Sequence, residues 1–245
     1  MKLHVLGSSS AGNGYILEGE ASALIIEAGI PLRIANKAIN FNISKVEGVI
    51  ISHKHADHCG RANEYAASGI EIFSNIETLE LLNQRYSHRF NWVKPGAKYT
   101  IKEFTIVPFL VVHDVTCYGY LIQHKECGLT CFITDSMYSP AVFPNLNNVL
   151  LEANYMEDIL NDNTASEIVS PSLADRIRQS HMSFETAQEF LEANDLSKVN
   201  NIVLLHLSNR NSNAALMLDK IRQTTGKTAY IAEPKSTINF NKTPF

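Results

Sequence analysis

The segment ISHKHADHCG, residues 51–60, holds His53, His55, Asp57 and His58 within six positions. Imidazole nitrogens and carboxylate oxygens are the usual ligands of zinc, and they also suit manganese and iron. One open catalytic zinc takes three protein ligands and a water, so four such groups are too many for it. Six adjacent residues also wrap a single ion poorly. A split is expected, His53 and His55 serving one ion and Asp57 and His58 a neighbour. Each ion then needs ligands from elsewhere. Three apolar runs each end in one polar ligand: FLVVHD gives His113, CFITDS gives Asp135 and IVLLHLS gives His206. A lone histidine after an apolar run is usually an ordinary packed or surface residue. Beside the cluster, these three instead complete seven ligands at four strand ends, enough for two divalent ions sharing a carboxylate. His4, His88 and His124 lack this context and are read as ordinary side chains.

The ligands must be carried by strands that end together. Short apolar or alternating runs broken by Gly, Ser and Asn predict strands at 2–6, 14–19, 22–28, 47–52, 70–74, 99–113, 118–124, 129–135, 201–207 and 228–232. Helical patterns lie at 31–40, 60–68, 75–85, 155–161, 172–180, 184–194 and 212–225, with Ser183 as an N-cap and Gly226 as a stop. Strands and helices alternate in both halves, and no linker, repeat or low-complexity tract interrupts them. The expectation is one compact domain over residues 1–245, two β-sheets packed together with helices outside.

Composition sets outer limits. The 245 residues are 45% apolar and 19% charged, ordinary for a soluble globular protein, and the net charge of -4 does not mark a globally basic nucleic-acid binder. No apolar run approaches the length of a membrane span. The start MKLHVLGSSSAGNG reads as a strand and turn rather than an export signal, so the cytoplasm is the expected compartment. Cys59, Cys117, Cys127 and Cys131 form no C-x-x-C pair and are expected as reduced, buried thiols; Cys59, next to His58, could line the site.

HKHADH with VVHD, FITDS and LLHLSNRNS, in this order, resembles the metallo-β-lactamase fold over nearly the whole chain. The resemblance implies an α/β four-layer αβ/βα sandwich, two mixed β-sheets with flanking helices and metals at one edge. It implies that His53, His55 and His113 hold one ion, that Asp57, His58 and His206 hold the other, and that Asp135 bridges. GSSSAGN (7–13) and HLSNRN (206–211) are similar, more narrowly, to the YycJ/VicX-type small metallohydrolases. That likeness implies a DNA exonuclease working from 5′ ends and linked to DNA repair.

The chemistry expected is dinuclear: two zinc or manganese ions, with iron an alternative, activate a bridging hydroxide for attack on a phosphodiester. Asp57, Asp135 and His181 form the expected catalytic set. His181, in QSHMSFETA, is assigned as general acid or phosphate contact by similarity to related phosphodiesterases. The GSSSAGNG turn lacks both the G-K-[ST] ending and the G-x-G-x-x-G pattern, so no nucleotide cofactor is expected. It could still present Ser10 and Asn13 to the metals, and Asn209 and Arg210 could reach a substrate phosphate. In QRYSHRFNWVK, Arg85, Arg89 and Lys94 alternate with Tyr86, Phe90 and Trp92; an amphipathic segment with core aromatics is favoured over a single-strand grip. The partner expected is nucleic acid, DNA above all, with no membrane. The rivals are a small-molecule hydrolase of the same fold (thioester, lactone, β-lactam or cyclic nucleotide) and an RNase Z-like RNA nuclease. The span between Asp135 and His206 is too short for a β-CASP insertion, and 245 residues leave no room for a fused flavin domain.

Overall fold

The computed structural model describes residues 1–244. Two seven-stranded sheets face each other. The first contains β1 (Lys2–Ser9), β2 (Gly12–Glu18), β3 (Ala23–Ile26), β4 (Val46–Ile50), β5 (Ile72–Ser74) and β6 (Phe90–Trp92). The second contains β7 (Tyr99–Ile101), β8 (Phe104–Val111), β9 (Cys117–His124), β10 (Gly128–Ile133), β11 (Asn148–Glu152), β12 (Asn201–Leu205) and β13 (Thr228–Ile231). The last strand, β14 (Thr237–Asn239), returns to the first sheet and pairs with β1. Spatial orders are β14-β1-β2-β3-β4-β5-β6 and β13-β12-β11-β10-β9-β8-β7. Both sheets are mixed: hairpins join β1 to β2 and β8 to β9, whereas β3-β4-β5-β6 and β10-β11-β12-β13 are parallel.

Strand alternation builds the layers. In β3, Leu24 and Ile26 enter the cluster between the sheets while Ala23 and Ile25 face outward. In β12, Val203 and Leu205 point inward, and Ile202 and Leu204 outward. Both faces are apolar because both are covered, the usual condition of parallel strands. Over the first sheet lie α1 (Leu32–Ala38), α2 (Ala56–Cys59), α3 (Ala62–Ala67) and α4 (Ile76–Leu81). With the second sheet go α5 (Glu157–Ala165), α6 (Pro171–Ser180), α7 (Phe184–Ala193) and α8 (Ala214–Thr225). Phe184, Ala187 and Leu191 of α7, with Met217 and Ile221 of α8, close its outer core. The result is the expected αβ/βα sandwich.

Several boundaries differ from the sequence reading. The run 99–113 is two strands, reversed at Lys102 in the left-handed region (φ 47°). The helix expected at 60–68 is α3 alone, and a separate short helix, α2, forms before it inside the histidine cluster. Strands β6, β11 and β14 were not anticipated. Ser183 does cap α7, accepting from the Thr186 N–H, and Gly226 ends α8 at φ 66°.

Candidate metal centre

The fold converges the polar strand tips. β4, β8, β10, β11 and β12 all end at one edge of the sandwich, and the β1–β2 hairpin folds over it. His53 to His58 follow β4, His113 follows β8, Asp135 follows β10, and His206 follows β12. Asp135 and His206 sit in the left-handed region, at φ 43° and 56°, which an L-residue adopts only when its surroundings hold it there. Gly29 supports the loop from below. Its N–H donates to the Asn13 carbonyl, and a Cβ there would lie 1.7 Å from the Asp57 carbonyl oxygen.

Three histidine nitrogens form a tight group. His53 Nε2 lies 3.0 Å from His55 Nδ1, which lies 3.3 Å from His113 Nε2. In a tetrahedral zinc site with Zn–N near 2.05 Å, neighbouring ligand atoms are separated by about 3.3 Å, so this set has the dimensions of a cation's coordination shell. Asp135 lies between the two halves. Its Oδ2 is 3.2 Å from His58 Nε2 and 3.9 Å from His53 Nε2, and its Oδ1 is 2.8 Å from His206 Nδ1. Asp57 Oδ2 is 3.3 Å from His58 Nε2. All seven expected residues therefore meet at one edge, and the donor set fits divalent cations.

Charge explains why cations suit this place. Burial would raise the Asp135 carboxyl, yet His58 and His206 overcome it and hold Asp135 well below its usual range. Burial would lower both histidines, but the surrounding carboxylates push His58 well above its usual value and His206 to about 10. The same carboxylates that favour protons on these two imidazoles would favour cations in their place. His53, by contrast, is held well below its usual value by burial and by the neighbouring His58. His113 is lowered, chiefly by burial. Neutral imidazole is the form that binds metal.

Glu152 escaped the sequence reading. It is the last residue of β11, fully buried, and its Oε1 accepts from His181 Nδ1 at 2.7 Å and lies 3.3 Å from His206 Nδ1. Its Oε2 accepts from the backbone N–H groups of Ser136 and Met182 at 2.8 and 3.3 Å. With both oxygens engaged, Glu152 positions histidines rather than offering a free ligand. Burial would raise its pKa, but His181 outweighs this and lowers it. Burial would likewise lower His181, while Glu152 raises it above the usual histidine value. The sequence signal was NNVLLEAN, an apolar run ending in one polar residue like the other three. Glu27 was missed for the same reason: it follows β3, its Oε1 accepts from the Ser52 N–H at 3.1 Å, and its Oε2 faces His58 Nδ1 at 3.3 Å.

The other expected contacts divide. Ser10 and His181 line a cleft of about 470 Å³ together with Asp57, His113, Asp135 and His206. Asn13 Nδ2 approaches Asp57 Oδ2 at 3.2 Å and His58 Nε2 at 3.0 Å. Asn209 lies in a separate cleft beside Ser8 and Ser9, and Arg210 is exposed outside both clefts. Asp114 joins the site unanticipated, its Oδ1 3.0 Å from His113 Nε2. Cys59 turns away from the metals: its thiol donates to the Lys54 carbonyl at 3.1 Å, and burial raises it to about 11. All four cysteines are free and buried. In the basic aromatic segment, Tyr86 and Phe90 pack on the outer core while Trp92 is exposed with Lys94 above its ring.

Known proteins share this fold. The sequence profile of the metallo-beta-lactamase superfamily matches residues 9–111, the span from the β1–β2 hairpin to the end of β8. The structure of the metallo-beta-lactamase fold protein YhfI from Bacillus subtilis superposes with a TM-score of 0.70, at 18% identity, over 97% of this chain and 99% of that one. The chain has the metallo-beta-lactamase fold. The chain is 26% identical over 233 residues to the protein named exodeoxyribonuclease WalJ of Streptococcus pneumoniae serotype 2 (strain D39 / NCTC 7466), covering 86% of this chain and 83% of the relative. The exodeoxyribonuclease YycJ of Bacillus anthracis is 24% identical over 175 residues, 65% of this chain and 66% of that protein. As a metallo-beta-lactamase-fold protein with such relatives, the chain is a metal-dependent hydrolase. No helix of the described residues is long and apolar enough to cross a membrane.

Proposed function

We propose that this metallo-beta-lactamase-fold hydrolase is a dinuclear phosphodiesterase acting on nucleic acid, a DNA exonuclease working from 5′ ends. One observation carries the chemical part: His181, on the wall of the ligand-lined cleft, is held through Nδ1 by buried Glu152 at 2.7 Å. Glu152 raises its pKa above the usual histidine value, which favours the acid form, and its Nε2 remains to donate. A phosphodiester of nucleic acid expels a poor leaving alkoxide that needs such a proton. The polymer part is supported by likeness, over most of the chain, to the exodeoxyribonuclease of S. pneumoniae.

His53, His55 and His113 would hold one cation, Asp57, His58 and His206 the other, with Asp135 between them. Bound there, two divalent cations supply Lewis acidity, activating water and neutralising phosphate charge. The chain does the rest. Glu27 and Ser52 fix the rings of His58 and His53 from behind, through contacts of 3.3 and 2.8 Å at their Nδ1 atoms. Asn13 restrains Asp57 and His58. Glu152 sets the tautomer of His181, which protonates the leaving oxygen. We further take residues 1–245 as one domain, and place its work in the cytoplasm and in DNA repair on the resemblance of its motifs.

The test is to strip the metal and reload with Mn²⁺ or Zn²⁺ separately. The loaded protein is then offered 5′-labelled single- and double-stranded DNA, RNA, a thioester and a lactone, with Asp57→Ala as control. DNA shortened from its 5′ end is expected. Thioester or lactone turnover without DNA cleavage would sink the nuclease reading in favour of a small-molecule hydrolase, and RNA-only cleavage would favour the RNase Z-like alternative.

A further inference from the structure

Helix α6 forms one wall of the metal cleft. Leu173, Arg176, Ile177 and Ser180 all line it. Their spacing, i, i+3, i+4 and i+7, is a single helical face. An adjoining face is anchored: Ala174 packs with Tyr155, Leu160 and Val169, and the inner side of Ile177 lies against the same cluster. The C-terminal end is tied to a candidate ligand, because His113 Nδ1 lies 3.1 Å from the Ser180 carbonyl. The cleft-facing stripe is therefore fixed in register with the metal site.

The two inner arginines of this helix differ sharply. Arg178 is consumed by structure: its guanidinium donates to both oxygens of Glu157 at 3.1 to 3.2 Å and to Asn161 at 2.8 Å, and it lies 3.6 Å from Asp175. Arg176 lines the cleft, and among the described residues its guanidinium has neither an ion-pair nor a hydrogen-bond partner. It lies one helical turn, about 6 Å along the axis, from Ser180. Arg176 thus sits a turn further back along the helix than Ser180, whose carbonyl meets His113. Leu173, 46% exposed, and Ile177 flank it with apolar surface. A cationic fork between two apolar side chains suits a phosphodiester with a sugar and base attached, since guanidinium binds phosphate oxygens bidentately.

Taking the nuclease reading as given, we propose that Arg176 grips the phosphate next to the scissile one in a bound single strand, with Leu173 and Ile177 seating the intervening nucleoside. This contact makes the cleft read a polymer rather than an isolated phosphodiester. It belongs to substrate binding, so its loss falls on KM.

The experiment compares Arg176→Ala, Arg176→Lys and Arg178→Ala, the last removing the same charge from the same helix out of an ion pair. The metal-loaded proteins are titrated across salt with a fluescent-labelled single-stranded phosphorothioate oligonucleotide, which resists hydrolysis. They are also assayed on a normal oligonucleotide and on bis(p-nitrophenyl) phosphate, which has one phosphate. For Arg176→Ala we expect about tenfold weaker binding and a salt slope flatter by about 0.7, the share of one single-strand phosphate contact. The ratio of kcat/KM for oligonucleotide to that for bis(p-nitrophenyl) phosphate should fall about tenfold, through KM. Arg176→Lys should keep the slope and lose part of the affinity, and Arg178→Ala should keep the wild-type slope. An unchanged slope in Arg176→Ala, or an equal loss on both substrates, overturns the assignment. Wild-type protein that cleaves the oligonucleotide while Arg176→Ala binds it normally overturns this contact alone. If the slope flattens as expected but no oligonucleotide is cleaved, Arg176 is a strand-phosphate contact, while the nuclease reading falls and with it the placement beside a scissile phosphate. Wild-type protein that binds no oligonucleotide overturns both.

Discussion

The two sheets build their halves of the metal edge in parallel ways but from different kinds of sequence. In the first sheet, Glu27 follows β3 and receives the Ser52 N–H from beyond β4. In the second, Glu152 ends β11 and receives the Ser136 N–H from beyond β10. Each glutamate is fully buried and each faces a histidine. The consequences diverge. Burial raises Glu27, and its contacts with His58 and Ser52 do not offset this. Glu152 is lowered despite burial, because His181, His206 and two backbone donors surround it. A buried carboxylate is stabilised by the number of donors aimed at it, not by its position in the fold. The first half is thus built to hold ligands still, and the second also holds a histidine that titrates.

The largest effect should come where the halves meet. Asp135→Ala removes the carboxylate between them and should abolish turnover and lower the metal stoichiometry, read by elemental analysis of the purified protein. His181→Ala should cut turnover of DNA about 10²- to 10⁴-fold. On bis(p-nitrophenyl) phosphate, whose leaving group needs no proton, the loss should be much smaller. Equal losses on both would remove His181 from proton transfer.

The paired glutamates separate the halves directly. Glu27→Gln and Glu152→Gln should each cost about 10- to 100-fold in metal affinity or activity. Only Glu152→Gln should move the pH profile. Glu152 raises the His181 pKa, so the acid form persists to higher pH in the wild type; activity is lost as pH rises through that pKa. Without the carboxylate charge, the alkaline limb of kcat should shift to lower pH, and a profile that stays in place removes Glu152 from this role.

Smaller effects test the supports. Gly29→Ala drives a Cβ into the Asp57 carbonyl and should cost about 1–3 kcal/mol in a denaturant titration, as overpacking does. Ser8→Ala removes the acceptor of the His206 N–H at 2.8 Å and a 2.7 Å bond to the Tyr15 hydroxyl. The expected cost is about 1–2 kcal/mol, seen as a lower melting temperature with metal content retained.

Where the sequence misled, the cause is local. Strand β11 is central and covered on both faces, so NVLLE shows no alternation and its terminal Glu152 was read as part of nothing. Strands β6 and β14 have three residues each, too few for a period to appear. Arg176 and Arg178 are indistinguishable in PSLADRIRQS, although one is paired and the other faces the cleft.

By itself, the sequence determined the chemistry of the ligands and the fact that they sit at strand tips. Metal binding demands His and Asp in numbers that ordinary packing does not, and buried strands write themselves as apolar runs. Tertiary structure alone decided which tips meet, that Glu27 and Glu152 stand behind the histidines, and that Arg176 opens onto the site. Those are relations between residues far apart in the chain, set by strand order and helix rotation, and local pattern carries no record of either.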